Sequence, residues 1–198
     1  MFDFSKCSIE GCNSFSISRR DVCFEHCRDK SAAIRELTET INAEKTIKDL
    51  KVMGSEFSGC DFSGKQYNVC NFSSCSFEKV NFSECEFRLC FFEAAVFTDC
   101  DLTRVNMKYC SFPGAVFKNC VFSGSDIINN NFNGTEIDVC DFSESDLYFS
   151  VFINSKISDT KFIDCNVKRT NFWGSVRSNV SFKYSNFEEA LFSGEEKI

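Results

Sequence analysis

Glycine, proline and histidine are scarce in this chain of 198 residues, which has nine Gly, one Pro and one His. It also lacks an apolar run of about 18 residues, the minimum for a membrane span. The N-terminus, MFDFSKCSIEGC, has neither the basic start nor the apolar core of a signal peptide, so we expect a cytoplasmic protein. With one histidine, no phosphate-binding glycine loop and no nucleophile motif, we expect it not to be an enzyme.

Phenylalanine and cysteine are abundant instead, with 25 Phe and 14 Cys. The net charge is -7 and the pI is about 4.9. This balance argues against non-specific binding to nucleic acid or to an anionic membrane. We expect the partner to be a protein.

The chain repeats every five residues. From Phe57 to Phe192 a centre recurs 28 times without insertion; it is Phe nineteen times and another large apolar residue eight times, and Arg177 is the one misfit. Two residues before each centre stands a small residue, and in ten repeats it is cysteine. Residues two apart in an extended segment point to the same side, so both positions face one interior. As buried small side chains, these cysteines are expected to be reduced and structural.

The turns between repeats are marked by their residue types. Gly, Asn or Asp often stands two residues after the centre, where a type II turn requires a positive φ. The only proline, Pro113, directly precedes Gly114, the order that such turns favour. Each unit is therefore predicted to be a short extended segment followed by a turn.

Units such as CDFSG, CNFSS, VNFSE and TNFWG resemble the pentapeptide-repeat family over residues 55–194. The resemblance implies an all-β, right-handed quadrilateral parallel β-helix with four repeats per coil, hence about seven coils. Centres twenty residues apart then share a face. We name the four faces after their first centres: the Phe57, Phe62, Tyr67 and Phe72 faces.

The four cysteines outside the repeats cluster with the only histidine in residues 1–30. Their spacing, C-x4-C-x10-C-x2-H, is similar to that of small zinc-binding segments and predicts one structural zinc ion. The predicted ligands are Cys7, Cys12, Cys23 and His26, with Cys27 as an alternative fourth ligand. Free thiols in a frayed terminus are the other interpretation.

Residues 31–54 are predicted to be a helical cap and linker. Apolar residues at helical spacing from Val22 to Ile41 predict an amphipathic helix from Asp21 to about residue 42. Ile47 and Val52 already fall on the five-residue register, so the solenoid can begin before Phe57. The end of a solenoid needs a cover, and we expect this module to supply it. Binding a partner or nucleic acid is the alternative, although nine acids balance nine bases in residues 1–54.

Charge is nearly absent from the outward positions of the Phe72 face, where Glu93 is the only charged residue from Asn71 onward. A charge-depleted strip with aromatic anchors is typical of a protein interface. The predicted partner-binding residues are Phe91, Val151, Ile153, Trp173 and Leu191. Ordinary surface, cover by residues 28–54 and a homodimer contact are the alternatives.

An acidic stretch without basic residues lies between Lys118 and Lys156. It contains Asp126, Glu136, Asp138, Asp141, Glu144 and Asp146. Some members of the pentapeptide-repeat family mimic DNA and bind type II topoisomerases such as gyrase, so the resemblance implies this second function. A solvated charged surface is the plainer interpretation. Residues 195–198 are expected to be a short tail, and the C-terminal segment ALFSGEEKI is expected to be too short for the terminal dimerisation helix of gyrase-binding relatives.

Overall fold

A computed structural model describes residues 5–193. Residues 1–4 and the predicted short tail, 195–198, lie outside the described residues. The chain forms a small N-terminal Cys/His module, one α-helix and a four-sided parallel β-solenoid of about seven coils. The predicted fold class is confirmed.

The α-helix α1 spans Lys30–Ala43 and follows a short 3-10 helix, Phe24–His26. Fourteen short strands follow: β1 Thr46–Lys48, β2 Glu56–Ser58, β3 Gln66–Asn68, β4 Ser76–Glu78, β5 Glu86–Arg88, β6 Val96–Thr98, β7 Asn106–Lys108, β8 Val116–Lys118, β9 Asp126–Ile128, β10 Glu136–Asp138, β11 Lys156–Ser158, β12 Asn171–Phe172, β13 Val176–Ser178 and β14 Leu191–Phe192.

All strand pairs are parallel and join residues twenty apart. On the Phe57 face, Phe57 pairs with Phe77, and the seven-stranded sheet continues to β13. On the Tyr67 face, β1, β3, β5, β7 and β9 form a second sheet. Single-residue bridges join successive coils along most of the other two faces. The twenty-residue register confirms four repeats per coil.

Every corner of the solenoid is left-handed. From Asp49 to Glu189, each residue two after a centre has a φ between 48° and 72°, whether or not it is glycine. At the corner after Phe72, the Cys75 amide donates to the Phe72 carbonyl at 3.1 Å and closes the turn. The predicted positive φ is therefore confirmed, and it extends to residue types for which this conformation is costly.

The core is a set of aromatic stacks that run along the solenoid. The rings of Phe112 and Phe132 lie 4.7 Å apart between centroids and are 1° from parallel, and Phe152 continues the stack at 4.7 Å. Rings on adjacent faces meet edge to face, as Phe57 and Phe62 do at 5.6 Å. Both arrangements are favourable for aromatic pairs. The interior is filled with side chains.

The small inward residues connect successive coils. The Cys75 thiol donates to the Val52 carbonyl at 3.0 Å, and the Ser145 hydroxyl donates to the Phe122 carbonyl at 2.9 Å. Both bonds reach a carbonyl 23 residues earlier in the chain. Cysteine, serine and threonine therefore fill the space beside a ring and also satisfy buried backbone acceptors. All fourteen cysteines are free thiols.

The helix begins later than the predicted Asp21. Cys23 to His26 instead form the start and turn of the 3-10 helix, and Asp29 then caps α1 by accepting a hydrogen bond from the Ala32 amide at 2.8 Å. The helical spacing of Val22 and His26 was misleading because these residues serve the Cys/His module. The solenoid begins at β1, within the segment predicted as cap and linker, because Ile47 and Val52 are already buried centres.

The last coil contains an arginine at a centre position. Arg177 keeps its register opposite Ile157, so the coil does not bulge. Its guanidinium donates to the Ser175 hydroxyl at 2.6 Å and lies 4.9 Å from the centroid of the Phe192 ring. The side chain is only partly buried. A cation can occupy this position because it covers the final ring of the stack rather than entering its middle.

Candidate metal centre and outer surfaces

The Cys/His module brings two chain segments together. A turn at Gly11, with a φ of 79°, carries Cys12 back toward Cys7. The 3-10 turn, in which the His26 amide donates to the Cys23 carbonyl at 3.1 Å, places the second pair. The four predicted ligands therefore meet in one cluster, and their ligand atoms lie within 4.8 Å of one another.

The cluster has the dimensions of a tetrahedral site. His26 Nδ1 lies 3.4 Å from Cys7 Sγ and 3.3 Å from Cys23 Sγ, and the Sγ atoms of Cys12 and Cys23 are 3.9 Å apart. Tetrahedral zinc, with Zn–S near 2.3 Å and Zn–N near 2.0 Å, separates its ligand atoms by about 3.5–3.8 Å. The Cys27 thiol donates instead to the Cys23 carbonyl at 3.5 Å and packs in the core.

The thiols of the cluster differ in acidity. Burial raises the pKa of the Cys23 thiol. Burial also acts to raise the pKa of Cys7, but hydrogen bonds from the backbone of Cys23 and Ile9 and from His26 outweigh it and hold that pKa at about 6. Thiolate is the form that binds metal, so Cys7 is prepared for ligation.

The Cys/His module is attached to the first coil. The Ser18 amide donates to the Lys51 carbonyl at 2.8 Å, and the Lys51 amide donates to the Ser18 hydroxyl at 2.9 Å. Ile17 and Phe24 belong to the same buried core as Leu37 of α1 and Val52 of the first coil. The module and α1 therefore cover the N-terminal end of the aromatic stack.

The predicted partner-binding residues divide into two places on the Phe72 face. Val151 and Leu191 are two coils apart, and each of them pairs with Asn171 on the coil between. Ile153 lies on the coil of Val151, and Trp173 lies on the coil of Asn171. Trp173 is 59% exposed and Leu191 54% exposed, whereas Val151 and Ile153 are half-buried. Phe91 is exposed too, but it lies three coils from Val151.

The acidic stretch is largely paired with the next coil. Glu136 forms an ion pair with Lys156 at 2.9 Å, and Asp141 lies 3.9 Å from Lys161. Lys156 lowers the pKa of the Glu136 carboxyl. Asp138 accepts from the Ser158 hydroxyl and Asp146 from the Asn166 amide. Among residues 5–193, Asp126 and Glu144 alone of the six have no side-chain or ion-pair partner.

Pairs of opposite charge twenty residues apart recur along the solenoid. Glu84 binds Arg104 at 2.7 Å, and Arg169 binds Glu189 at 2.6 Å. Because the register is twenty residues, an acid and a base separated by twenty positions could have been recognised as a cross-coil pair. The surface charge is therefore more evenly neutralised than a linear view of the sequence indicates.

The fold defines the class of protein: a four-sided parallel β-solenoid with a capped N-terminal end. The chain belongs to the pentapeptide-repeat family. Residues 115–192 match the family model described as a pentapeptide repeat region, and residues 55–99 and 70–108 match the model described as pentapeptide repeats (8 copies). No curated protein matches the chain in sequence. No helix among residues 5–193 has the length and apolarity needed to cross a membrane.

Several solved structures are similar to this chain at low sequence identity. Full-length QnrB1, a plasmid-mediated fluoroquinolone resistance protein, is 15% identical, with a TM-score of 0.37 over 75% of this chain and 84% of that protein. Rfr23 from the cyanobacterium Cyanothece is 12% identical, with a TM-score of 0.36 over 75% and 97%. HetL from Nostoc, involved in heterocyst differentiation regulation, is 10% identical, with a TM-score of 0.27 over 78% and 94%.

Proposed function

We propose that this protein is a non-enzymatic interaction scaffold that presents the Phe72 face to a protein partner. The observation that carries the proposal is the position of Trp173, which is 59% exposed beside Ile153 and Leu191 on a face almost without charge. Large aromatic side chains dominate the binding energy of many interfaces. The rigid solenoid keeps these side chains in place before binding, which lowers the entropic cost of association.

Site-specific photo-crosslinking tests this function. A benzophenone amino acid replaces Trp173 in one variant and Glu144 in a matched control on the acidic stretch. We expect a discrete protein adduct from position 173 that persists at about 0.5 M salt, where exposed charge interactions are screened. An adduct formed only from position 144, and lost in salt, would show that the acidic stretch is the binding surface instead.

DNA mimicry and gyrase binding form the second candidate function. It requires carboxylates that are available to a basic partner, and the open carboxylates of Asp126 and Glu144 favour it. The ion pair of Glu136 with Lys156 and the approach of Lys161 to Asp141 act against it, because they place cations among the carboxylates. We therefore place the scaffold first.

We also propose that the N-terminal cluster holds one structural zinc ion and that this ion fastens the cap to the solenoid. The support is the tetrahedral spacing of Cys7, Cys12, Cys23 and His26. Four protein ligands leave no coordination position for a substrate, so the ion has a structural role. So small a module has little core of its own and needs such a constraint.

Metal analysis of single variants tests the zinc site. We expect one zinc ion per chain in the wild type, its loss in Cys12→Ser, and its retention in Cys27→Ser because the Cys27 thiol faces the Cys23 carbonyl. Cobalt substitution should produce the visible absorption of a tetrahedral thiolate site. Loss of metal in Cys27→Ser with retention in His26→Asn would assign the fourth ligand to Cys27.

A further inference from the structure

One corner of the solenoid carries large apolar side chains where small or polar residues are expected. It follows the Tyr67 face and holds Val69, Leu89, Tyr109, Asn129 and Phe149, with φ values from 54° to 59°. Left-handed backbone is unfavourable for branched and bulky residues. The corner after the Phe72 face, by contrast, has Gly54, Gly114, Gly134 and Gly174.

None of the four apolar side chains at this corner belongs to the buried core. Leu89 is 44% exposed and Tyr109 is 55% exposed, and Phe149 is exposed to a similar degree. Exposed apolar side chains at strained positions lose backbone energy without filling the core. Every corner of this fold has the same positive φ, so the backbone conformation is structural, and it is the choice of large apolar residues at this corner that points to a function. We call Val69, Leu89, Tyr109 and Phe149 the apolar ridge.

The surroundings of the apolar ridge give it a chemical character. Arg88 and Lys108 stand directly before Leu89 and Tyr109, are exposed, and form no ion pair within residues 5–193. At the far end, the Arg169 guanidinium lies 5.4 Å from the centroid of the Phe149 ring. Across the corner, the Phe72 face is nearly uncharged. Arg169 is paired with Glu189, so the net positive charge beside the ridge comes from Arg88 and Lys108. The acids of the same face, Glu86 and Asp126 among them, stand at the opposite ends of its strands, and the other flank of the ridge is neutral.

The length of the apolar ridge suits a helix. From Val69 to Phe149 there are four coils, or about 19 Å at the usual strand spacing of about 4.8 Å. A helix of about 13 residues has this length, and its turns of about 5.4 Å stay close to the coil spacing over that distance. Side chains at i, i+3, i+4 and i+7 of such a helix would meet successive coils.

We propose that the apolar ridge is a docking site for an acidic amphipathic helix of a partner protein. This inference rests on the proposed scaffold function and names the partner's chemistry. The apolar stripe of the helix packs on Leu89, Tyr109 and Phe149. Carboxylates along one edge of the stripe face Arg88 and Lys108, which have no acidic partner within the described chain.

Asparagine substitution separates a structural role from a binding role. Asn tolerates the left-handed conformation and already occupies position 129 of this corner. Leu89→Asn and Tyr109→Asn should leave the unfolding midpoint unchanged or raise it. A drop of the midpoint in both variants would mean that these side chains serve stability, and it would overturn the proposal.

Selection from a phage-displayed library of 16-residue helical segments against the full chain tests the ligand. We expect acidic amphipathic binders that lose at least about tenfold in affinity, a cost of about 1.4 kcal/mol, with the Leu89→Asn/Tyr109→Asn double variant. They should bind more tightly to Asn129→Leu, which completes the ridge. Val139→Asn is the matched control, because Val139 is also an exposed apolar residue with a positive φ but lies at the corner after the Phe57 face, and this variant should bind normally.

Failure of the ridge proposal can be distinguished from failure of the scaffold proposal. Binders weakened by Trp173→Ala and not by the double variant would overturn the ridge and leave the scaffold proposal standing. Basic binders, or no helical binder, would overturn the ridge as well. Failure of the scaffold itself would be seen in the photo-crosslinking at position 173, which does not depend on the ridge residues.

Discussion

Removal of one ring from the middle of the aromatic stack should cost much of the stability of the solenoid. Phe132 is fully buried between Phe112 and Phe152, each 4.7 Å away between centroids. Phe→Ala in a well-packed core costs about 3–5 kcal/mol. Because rings lie on both sides and the backbone is held by coils above and below, the cavity cannot collapse, and we expect Phe132→Ala to fall near about 4 kcal/mol.

Urea unfolding of two control variants makes this prediction specific. Phe132→Leu should cost clearly less, about 1–2 kcal/mol, since leucine keeps most of the side-chain volume and already serves as a centre at Leu147, although both ring contacts are lost. Phe187 is a centre of the last coil but is 46% exposed. Phe187→Ala should therefore cost only about 1 kcal/mol. Equal losses for Phe132→Ala and Phe187→Ala would refute the view that the continuous stack holds the solenoid together.

Three further predictions concern the cap, the thiols and the corners. Zinc chelation should increase hydrogen exchange at the amide of Val52, whose coil the Cys/His module covers, and should leave the central coils protected. Uniformly increased exchange throughout the chain would contradict the role of the module as a cap of the first coil. At pH 8 a maleimide should label Cys60 before the other repeat cysteines, because Cys60 is only partly buried. Burial raises the pKa of the Cys75 thiol to about 12 and so depletes its reactive thiolate. Mass spectrometry of the labelled chain measures the order, and labelling of Cys75 before Cys60 would contradict the prediction. Gly134→Ala should lower the free energy of unfolding by about 1 kcal/mol, because alanine is strained at a positive φ. Gly174→Ala should lower it further, because the new Cβ would also overlap the Asn154 side chain. Equal thermal midpoints for the two variants would contradict that overlap.

Inward residues made the solenoid predictable. A large centre, a small residue two positions earlier and a turn residue two positions later are separate signals that agree on one geometry. Phe57 and Phe77 consequently pair as the twenty-residue register requires. The start of the solenoid at Ile47 was visible for the same reason.

The N-terminal module was less predictable because it is held by a few specific contacts. Helical spacing from Val22 could not reveal that the chain turns at His26 and restarts its helix after Asp29. The choice between His26 and Cys27 was open because the two are adjacent in sequence. Only the direction of the 3-10 turn places one side chain in the cluster and the other in the core.

Outward residues were the hardest to interpret. The acidic stretch looked continuous in sequence, yet Glu136 and Asp141 have basic neighbours one coil away. The apolar ridge was not recognised because its members are twenty residues apart and lie at positions assigned to turns. Such patterns become visible only when the outward positions are arranged by coil.

A gyrase supercoiling titration at low and moderate salt tests most directly the claim that the protein is a scaffold which binds through its charge-poor face. We expect no inhibition at either salt concentration with zinc-replete protein, because the carboxylates from Glu136 to Asp146 are mostly paired. Inhibition that is strong at low salt and fades as salt rises would contradict it, since that dependence is the signature of binding through open charges.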